Sequence, residues 1–261
     1  MKIKDILHYL DEKYNQKIAL DFDNPGLLIG NKNNELNGVL VTLDVTNNSI
    51  KKAIKNNCNL IISHHPLIFH SIKKIDINSV VGKHIELLIK NKISVFSIHT
   101  NFDAHYDGMT KIVNEKIKKY IDLKFISYIE DIPFEDKNNF KYGIGSINTL
   151  SKKININTLI KIVEKEFIIK NLRYYKANNF SKKIAICPGS GKSLVNSVIE
   201  NKCDTFITSD LAHNDILDLN EMNISYIDAT HYGLEKVFID YICKLLKSKY
   251  LIKVVKYDNF N

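Results

Sequence analysis

Three short apolar runs constrain this chain more than any other feature: "NGVLVTLDVT" (37–46), "CNLIISHHP" (58–66) and "ISVFSIHTNFD" (93–103). Each is a few residues long and rich in Val, Ile or Leu, as a strand buried on both faces must be. Between and after them lie "TNNSIKKAIKNN" (46–57), "VGKHIELLIKNK" (81–92) and "GMTKIVNEKIKKYI" (108–121), which read as helices. Strands alternating with helices at this spacing predict βαβ units and a largely parallel sheet. Such crossovers are right-handed almost without exception. The C-terminal ends of the strands therefore gather along one edge of the sheet, where open α/β folds bind their ligands.

The remainder follows the same logic with one interruption. Residues 2–15 predict a first helix, with Ile3, Ile6, Leu7 and Leu10 on one stripe. "DFDNPGLLIG" (21–30) reads as a turn-rich loop, because Asn-Pro-Gly is turn chemistry. Residues 124–147 mix short strands with loops, and 157–172 predict an amphipathic helix. A second α/β pattern begins with a strand over 182–191 that runs into a glycine turn. A helix (193–202), a strand (203–210), a helix (211–223), a strand (224–230) and a closing helix (231–249) complete it. We place the division into domains at 1–125 plus 226–261, and 126–225. The two halves share a layout of strand, turn, helix and strand, as an ancient duplication would leave.

Composition narrows the function classes. A chain of 261 residues with 44% hydrophobic content builds its core without staples. No apolar run approaches the roughly 18–20 residues needed to cross a bilayer. The N-terminus "MKIKDILHYLDEKYN" lacks the apolar block of a signal peptide, so we expect a cytoplasmic protein away from the membrane. The four cysteines (Cys58, Cys187, Cys203 and Cys243) are scattered without a Cys-x-x-Cys pair, which points to reduced core thiols. The net charge of +8 comes almost wholly from lysine; Arg173 is the single arginine. Dispersed lysines mark solvated faces, and base readout favours arginine, so the charge argues against nucleic acid as the main partner.

"ICPGSGKSL" (186–194) invites comparison with a nucleotide-binding P-loop, which needs Gly-x-x-x-x-Gly-Lys-Ser/Thr. Counting back from Gly191, the first glycine should stand at 186, where the chain has Ile186. Pro188 also removes a backbone donor from any phosphate cradle. Two readings remain for Gly189, Gly191 and Lys192: a tight strand-to-helix turn, or a turn that holds a substrate phosphate on free N–H groups and the lysine.

The stronger signal lies at the strand ends. "IISHHP" puts His64 and His65 at the end of one buried strand, and "SIHTNFD" puts His99 and Asp103 just after another. "THYGLE" opens the last helix with His231 and Glu235, four apart and so on one face. Paired histidines with carboxylates form a mixed nitrogen and oxygen ligand set, suited to Zn, Mn, Fe, Co or Ni. His8, His70, His84, His105 and His213 read as ordinary polar residues.

"DNPGLLIG", "VTLDVT", "ISHHPLIF", "HTNFD", "GSG" and "HYGLE" occur in the order seen in the Nif-three-like dinuclear-metal family, also labelled GTP cyclohydrolase 1 type 2 homologues. The chain resembles that family from about residue 20 to the C-terminal helix. The resemblance implies an α/β fold of two interleaved three-layer domains with mainly parallel sheets. It implies a ring-shaped homohexamer, a trimer of dimers, with metal sites facing an internal cavity. It further implies two divalent metal ions per subunit, bound by His64, His65, Asp103, His231 and Glu235, with Asp103 or Glu235 as the bridge. His99 would lie beside them as an acid/base or an outer partner of the ligands. Two departures stand out. "TSDLAHND" (208–215) replaces a Thr-Gly-Glu stretch followed by paired histidines, and Thr230 stands where a glycine usually precedes the final histidine. They bear on the surroundings of Asp210 and His213 rather than on the ligands themselves.

The family label implies hydrolytic opening of the GTP imidazole ring with release of formate. Metal-dependent hydrolysis of another nucleotide or a phosphoester, and a non-enzymatic role as a ring-shaped metal-binding adaptor or regulator, use the same residues.

Overall fold

The computed structural model describes residues 1–134, 139–170 and 172–260. Residues 135–138 of the expected strand-and-loop stretch, and Asn171 near the end of the helix expected over 157–172, lie outside them. In chain order the elements are α1 (Ile3–Lys13), β1 (Gly26–Ile29), β2 (Val39–Thr42), α2 (Asn47–Lys55), β3 (Leu60–Ser63), α3 (Val80–Lys90), β4 (Ser94–Ser97), α4 (Thr100–Asp103) and α5 (Met109–Lys118). They continue with β5 (Leu123–Ser127), β6 (Glu130–Ile132), β7 (Tyr142–Ile144), β8 (Ser146–Asn155), α6 (Ile156–Phe167), β9 (Arg173–Tyr175) and β10 (Phe180–Ser190). The last are α7 (Val195–Glu200), β11 (Thr205–Ser209), α8 (His213–Glu221), β12 (Ser225–Asp228), α9 (His231–Glu235), α10 (Val237–Lys249) and β13 (Val254–Lys256). Among the described residues no helix is long and apolar enough to cross a membrane.

The chain forms two compact units, Met1–Phe102 with the segment from Lys236 onward, and Asp103–Glu235. The first unit is built on a five-stranded sheet of order β1-β4-β3-β2-β13. Its β4, β3, β2 and β13 are mutually parallel, and β1 runs antiparallel on the β4 edge. Every residue of β2, β3 and β4 is buried, so both faces of the sheet are covered. On one face Leu40, Ile61 and Val95 pack with Ile50 and Ala53 of α2 and Ile85 and Leu88 of α3. Val39, Val41, Leu60 and Ile62 point the other way and are fully buried as well. Local signals start the helices where the sequence predicts. The Thr46 hydroxyl accepts from Ser49 N, while the Ser49 hydroxyl accepts from Thr46 N, a reciprocal cap on α2.

The second unit holds a six-stranded sheet of order β5-β8-β10-β11-β12-β9. Its centre, β10-β11-β12, is parallel, and antiparallel strands flank it. Leu194, Val195 and Val198 around α7, and Leu219 of α8, pack with Ala185, Phe206 and Tyr226 on one face. Helices α5 and α6 pack against each other and against β10 and β8.

Two elements differ from expectation. The stretch read as a turn-rich loop contains β1, because the apolar run Gly26–Ile29 finds an edge to pair with, Gly26 opposite Ser97 and Leu27 opposite Phe96. The chain also continues past the closing helix into β13, which pairs Val254 with Val39 and Val255 with Leu40. Strands this short carry little local signal; long-range pairing makes them.

Candidate functional site

Within the first unit, register builds the site. β2, β3 and β4 end abreast, Thr42 beside Ser63 and Ser63 beside Ser97. The Ser63 and Ser97 hydroxyls are bonded at 2.8 Å, which ties these ends together. The next residues of each strand therefore share one edge: Asp44 after β2, His64 and His65 after β3, and His99 after β4. Because β1 is antiparallel to β4, the loop before β1 crosses the same edge and delivers Asp23.

The imidazoles are oriented one by one. The His64 side chain is fully buried, and its Nδ1 lies 2.8 Å from the Ile98 carbonyl. A carbonyl only accepts, so Nδ1 carries the proton and the lone pair sits on Nε2. His65 Nδ1 lies 2.8 Å from Asp44 Oδ1, and His99 Nδ1 lies 2.7 Å from Asp23 Oδ1. A carboxylate at Nδ1 fixes the same tautomer and makes Nε2 a better ligand or base. The three rings stand 4.9–5.5 Å apart between centroids. Their candidate ligand atoms all lie within 4.8 Å of one another. Phe102 and Phe238 pack against the His64 ring at 6.3 and 5.0 Å, which keeps this side of the group apolar.

Asp23 is the most constrained anion of this unit. Its side chain is fully buried, and its oxygens accept from His99 Nδ1, Asn24 N, Thr100 N and Thr100 Oγ1. Burial alone pushes its carboxyl up, but the hydrogen bond and charge of His99, with the two bonds from Thr100, outweigh it and hold the group down at about 2.

The second unit places His231 against Glu235, while Asp103 acts electrostatically on the same buried thiol, Cys187, as Glu235. β10, β11 and β12 end in register, so Asp210 after β11 and His231 after β12 become neighbours. His231 Nδ1 lies 2.5 Å from Asp210 Oδ2, and its Nε2 lies 3.1 Å from Glu235 Oε2. Asp210 thus holds the His231 ring as Asp44 holds His65. His213, by contrast, is exposed at the start of α8. Thr230 has φ 54, the left-handed region in which glycine is unstrained, and its hydroxyl accepts from Gly233 N to cap α9. Asp103 and Glu235 both face the buried Cys187 thiol, which burial first, and then their negative charge, pushes far up. Cys187 is therefore an inert core thiol, and all four cysteines are free and buried.

The glycine turn has a packing explanation. Gly189 has φ 72, and a Cβ there would overlap Glu235 Oε1 and stand 3.6 Å from His231 Nε2. Its carbonyl accepts from the hydroxyls of Thr208 and Ser209. A Cβ on Gly191 would collide with Thr208 and Phe206. Lys192 is exposed. Gly189→Ala is expected to lower stability by about 1–2 kcal/mol, from the left-handed backbone alone, and to push the Glu235 carboxylate aside. Thermal unfolding and metal uptake measured together check it; uptake equal to wild type would mean that the carboxylate does not depend on this turn.

Asp23, Asp44 and Asp210 escaped the sequence reading as partners of the histidines. Each follows or precedes a strand by one to three residues, and only the register of the sheets shows which histidine it meets.

A two-unit α/β protein whose strand ends carry carboxylate-anchored histidines is the class these observations define. The chain matches the family model described as Duf34/NIF3 (NGG1p interacting factor 3) over residues 1–260, and it belongs to that family. It is 33% identical over 241 residues to a Clostridium acetobutylicum protein named GTP cyclohydrolase 1 type 2 homolog, covering 90% of this chain and 85% of that one. It is 29% identical to a Helicobacter pylori J99 protein named GTP cyclohydrolase 1 type 2, covering 98% and 97%. Among solved structures, the Staphylococcus aureus protein SA1388 superposes with a TM-score of 0.84 at 29% identity, covering 98% of this chain and 96% of that one.

Proposed function

We propose that the chain is a metal-dependent hydrolase of the GTP cyclohydrolase kind, with two divalent ions held by His64, His65, Asp103, His231 and Glu235. One observation carries the reading: His64, His65, His99 and His231 all have Nδ1 engaged by an oxygen acceptor. Rings locked in that tautomer are prepared to offer Nε2, and a surface histidine has no need of such preparation. Bound there, the ions would supply Lewis-acid chemistry and make water acidic enough to react near neutral pH. The residues do the rest. His99 takes a proton at Nε2 and returns it to the leaving nitrogen, while Asp23 holds the ring and stabilises the imidazolium that forms. Asp44 and Asp210 keep His65 and His231 from rotating. The reaction is hydrolytic opening of the GTP imidazole ring with release of formate, in line with the names of the relatives.

The test is formate release from GTP by metal-replete protein, with metal content measured in the same sample. His65→Ala is expected to lower turnover by at least about a hundredfold, the upper end of what losing a ligand's oriented partner costs. Full metal content without formate would remove GTP as the substrate and leave the metal site standing.

A further inference from the structure

The carboxylates that hold His99 and His65 are supported unequally. Asp23 is fully buried, and Asn24 N, Thr100 N and Thr100 Oγ1 hold its oxygens besides His99. The Asp44 side chain is 41% exposed, and among the described residues its carboxylate makes one hydrogen bond, with His65 Nδ1. A half-exposed carboxylate keeps much of its rotamer freedom, and one bond to an imidazole removes little of it. The aim of Asp44 therefore depends on its backbone, and the loop Thr42–Thr46 that carries it has a holder from outside the loop.

That holder is Asn259. β13 pairs in parallel with β2, Lys256 opposite Val41, and Tyr257 N donates to Val41 O at 2.9 Å. The chain runs on in step and brings residue 259 level with Asp44. Asn259 Nδ2 donates to the Asp44 carbonyl at 3.1 Å and to Thr42 Oγ1 at 3.3 Å, and Asn259 Oδ1 accepts from Thr46 Oγ1 at 2.9 Å. One amide thus uses both of its protons and its oxygen on the first, middle and last residues of the loop. Thr42 Oγ1 also donates to the Asp44 carbonyl, at 3.1 Å, so that carbonyl is held from two sides. Docking of this segment on the sheet needs none of these bonds, because β13 already has its ladder with β2. Three contacts centred on Asp44 fix the loop instead.

We propose that Asn259 is a positioning residue for His65: it clamps the loop that carries Asp44, and through that carboxylate it keeps His65 Nε2 free to bind a divalent metal ion. The inference rests on the reading of His65 as a metal ligand.

The experiment uses the full-length protein with isotope-labelled histidine, stripped of metal by a chelator, and follows the nitrogen shifts of the imidazole rings. At about pH 8, where an ordinary imidazole is neutral, the wild-type His65 ring is expected to carry its proton on Nδ1 alone. Asn259→Asp keeps the size of the side chain but sets an oxygen against the Asp44 carbonyl in place of a donated proton. It is expected to bring in the Nε2-protonated form at His65 and to leave the His64 and His99 rings as they were. Asn259→Ala admits water to the position and is expected to show the same change to a smaller extent. With Zn²⁺ added, Asn259→Asp is expected to weaken metal binding about fivefold, one hydrogen bond's worth. In an Asp44→Ala background the same substitution is expected to add nothing, because its route to His65 is already cut. An unchanged His65 ring in both variants overturns the proposal. So does a fivefold loss that persists in the Asp44→Ala background, and so does an equal change at His64 and His99, which would mean general loosening. A protein that takes up no Zn²⁺ would overturn the metal reading beneath the proposal, and the ring measurement, made without metal, tells that failure apart from failure of the clamp.

Discussion

Adding a divalent transition metal to the metal-free protein is expected to raise its unfolding temperature by roughly 10 °C, and to raise that of Glu235→Gln by only a small fraction of this. A ligand at a thousand times its dissociation constant stabilises the native state by about 4 kcal/mol. At about 2–4 °C per kcal/mol for a chain of this size, the shift follows. The substitution keeps the shape of the side chain and removes its charge. In the metal-free state Glu235 is 3% exposed, and its Oε2 lies 3.1 Å from His231 Nε2. Glutamine keeps an oxygen that can accept from that ring, so without metal Glu235→Gln is expected to lose no more than about 1–3 kcal/mol. A differential scan against metal concentration reads both effects. A variant that loses stability without metal yet keeps the full metal-dependent rise would make Glu235 a structural residue and sink the ligand assignment.

How much of this was legible in the sequence follows from how far each signal reaches. His64, His65 and His99 declare themselves because short apolar strands end just before them, and the i, i+4 spacing of His231 and Glu235 is local to one helix. Their anchors are not local. Asp44 lies in the run read as a strand, two residues beyond the end of β2, but its meeting with His65 depends on Thr42 lying beside Ser63. Asp23 sits in "DFDNPGLLIG", where Asn-Pro-Gly masks the strand that follows. Its partner His99 is 76 residues away and becomes visible only when Gly26 pairs with Ser97. The Gly189–Gly191 turn shows another limit of local signals. The glycines leave a tight turn and a phosphate cradle both open in the sequence, while the structure shows what a Cβ would strike, Glu235 in one case and Thr208 with Phe206 in the other. A sequence shows that backbone freedom is needed at a position; it does not show which neighbour requires it.

Asp23→Asn should make the protein less stable at neutral pH and less sensitive to acid, because the wild-type carboxylate couples folding to proton binding. Its folded value of about 2 lies below the ordinary 3.8 for this side chain. A group held down in the native state contributes stability that is complete above the unfolded value. That contribution drains away as pH falls through the folded one. The window is therefore from about pH 4 down to about pH 2, and the amount lost is about 2 kcal/mol. Metal must be chelated beforehand so that its release does not add to the slope. Urea unfolding across that window should show the wild type losing about 2 kcal/mol more than Asp23→Asn. Parallel curves would mean that the carboxylate is not held down by His99 and Thr100. Asp23→Ala goes further. It leaves His99 Nδ1, Asn24 N, Thr100 N and Thr100 Oγ1 without their acceptor in a place closed to water. Breaking a buried pair by removing one member costs about 3–5 kcal/mol. The asparagine variant keeps one oxygen to accept and should recover part of that loss. It cannot restore the charge opposite the His99 ring, so its remaining deficit measures what the carboxylate does for that histidine beyond filling space.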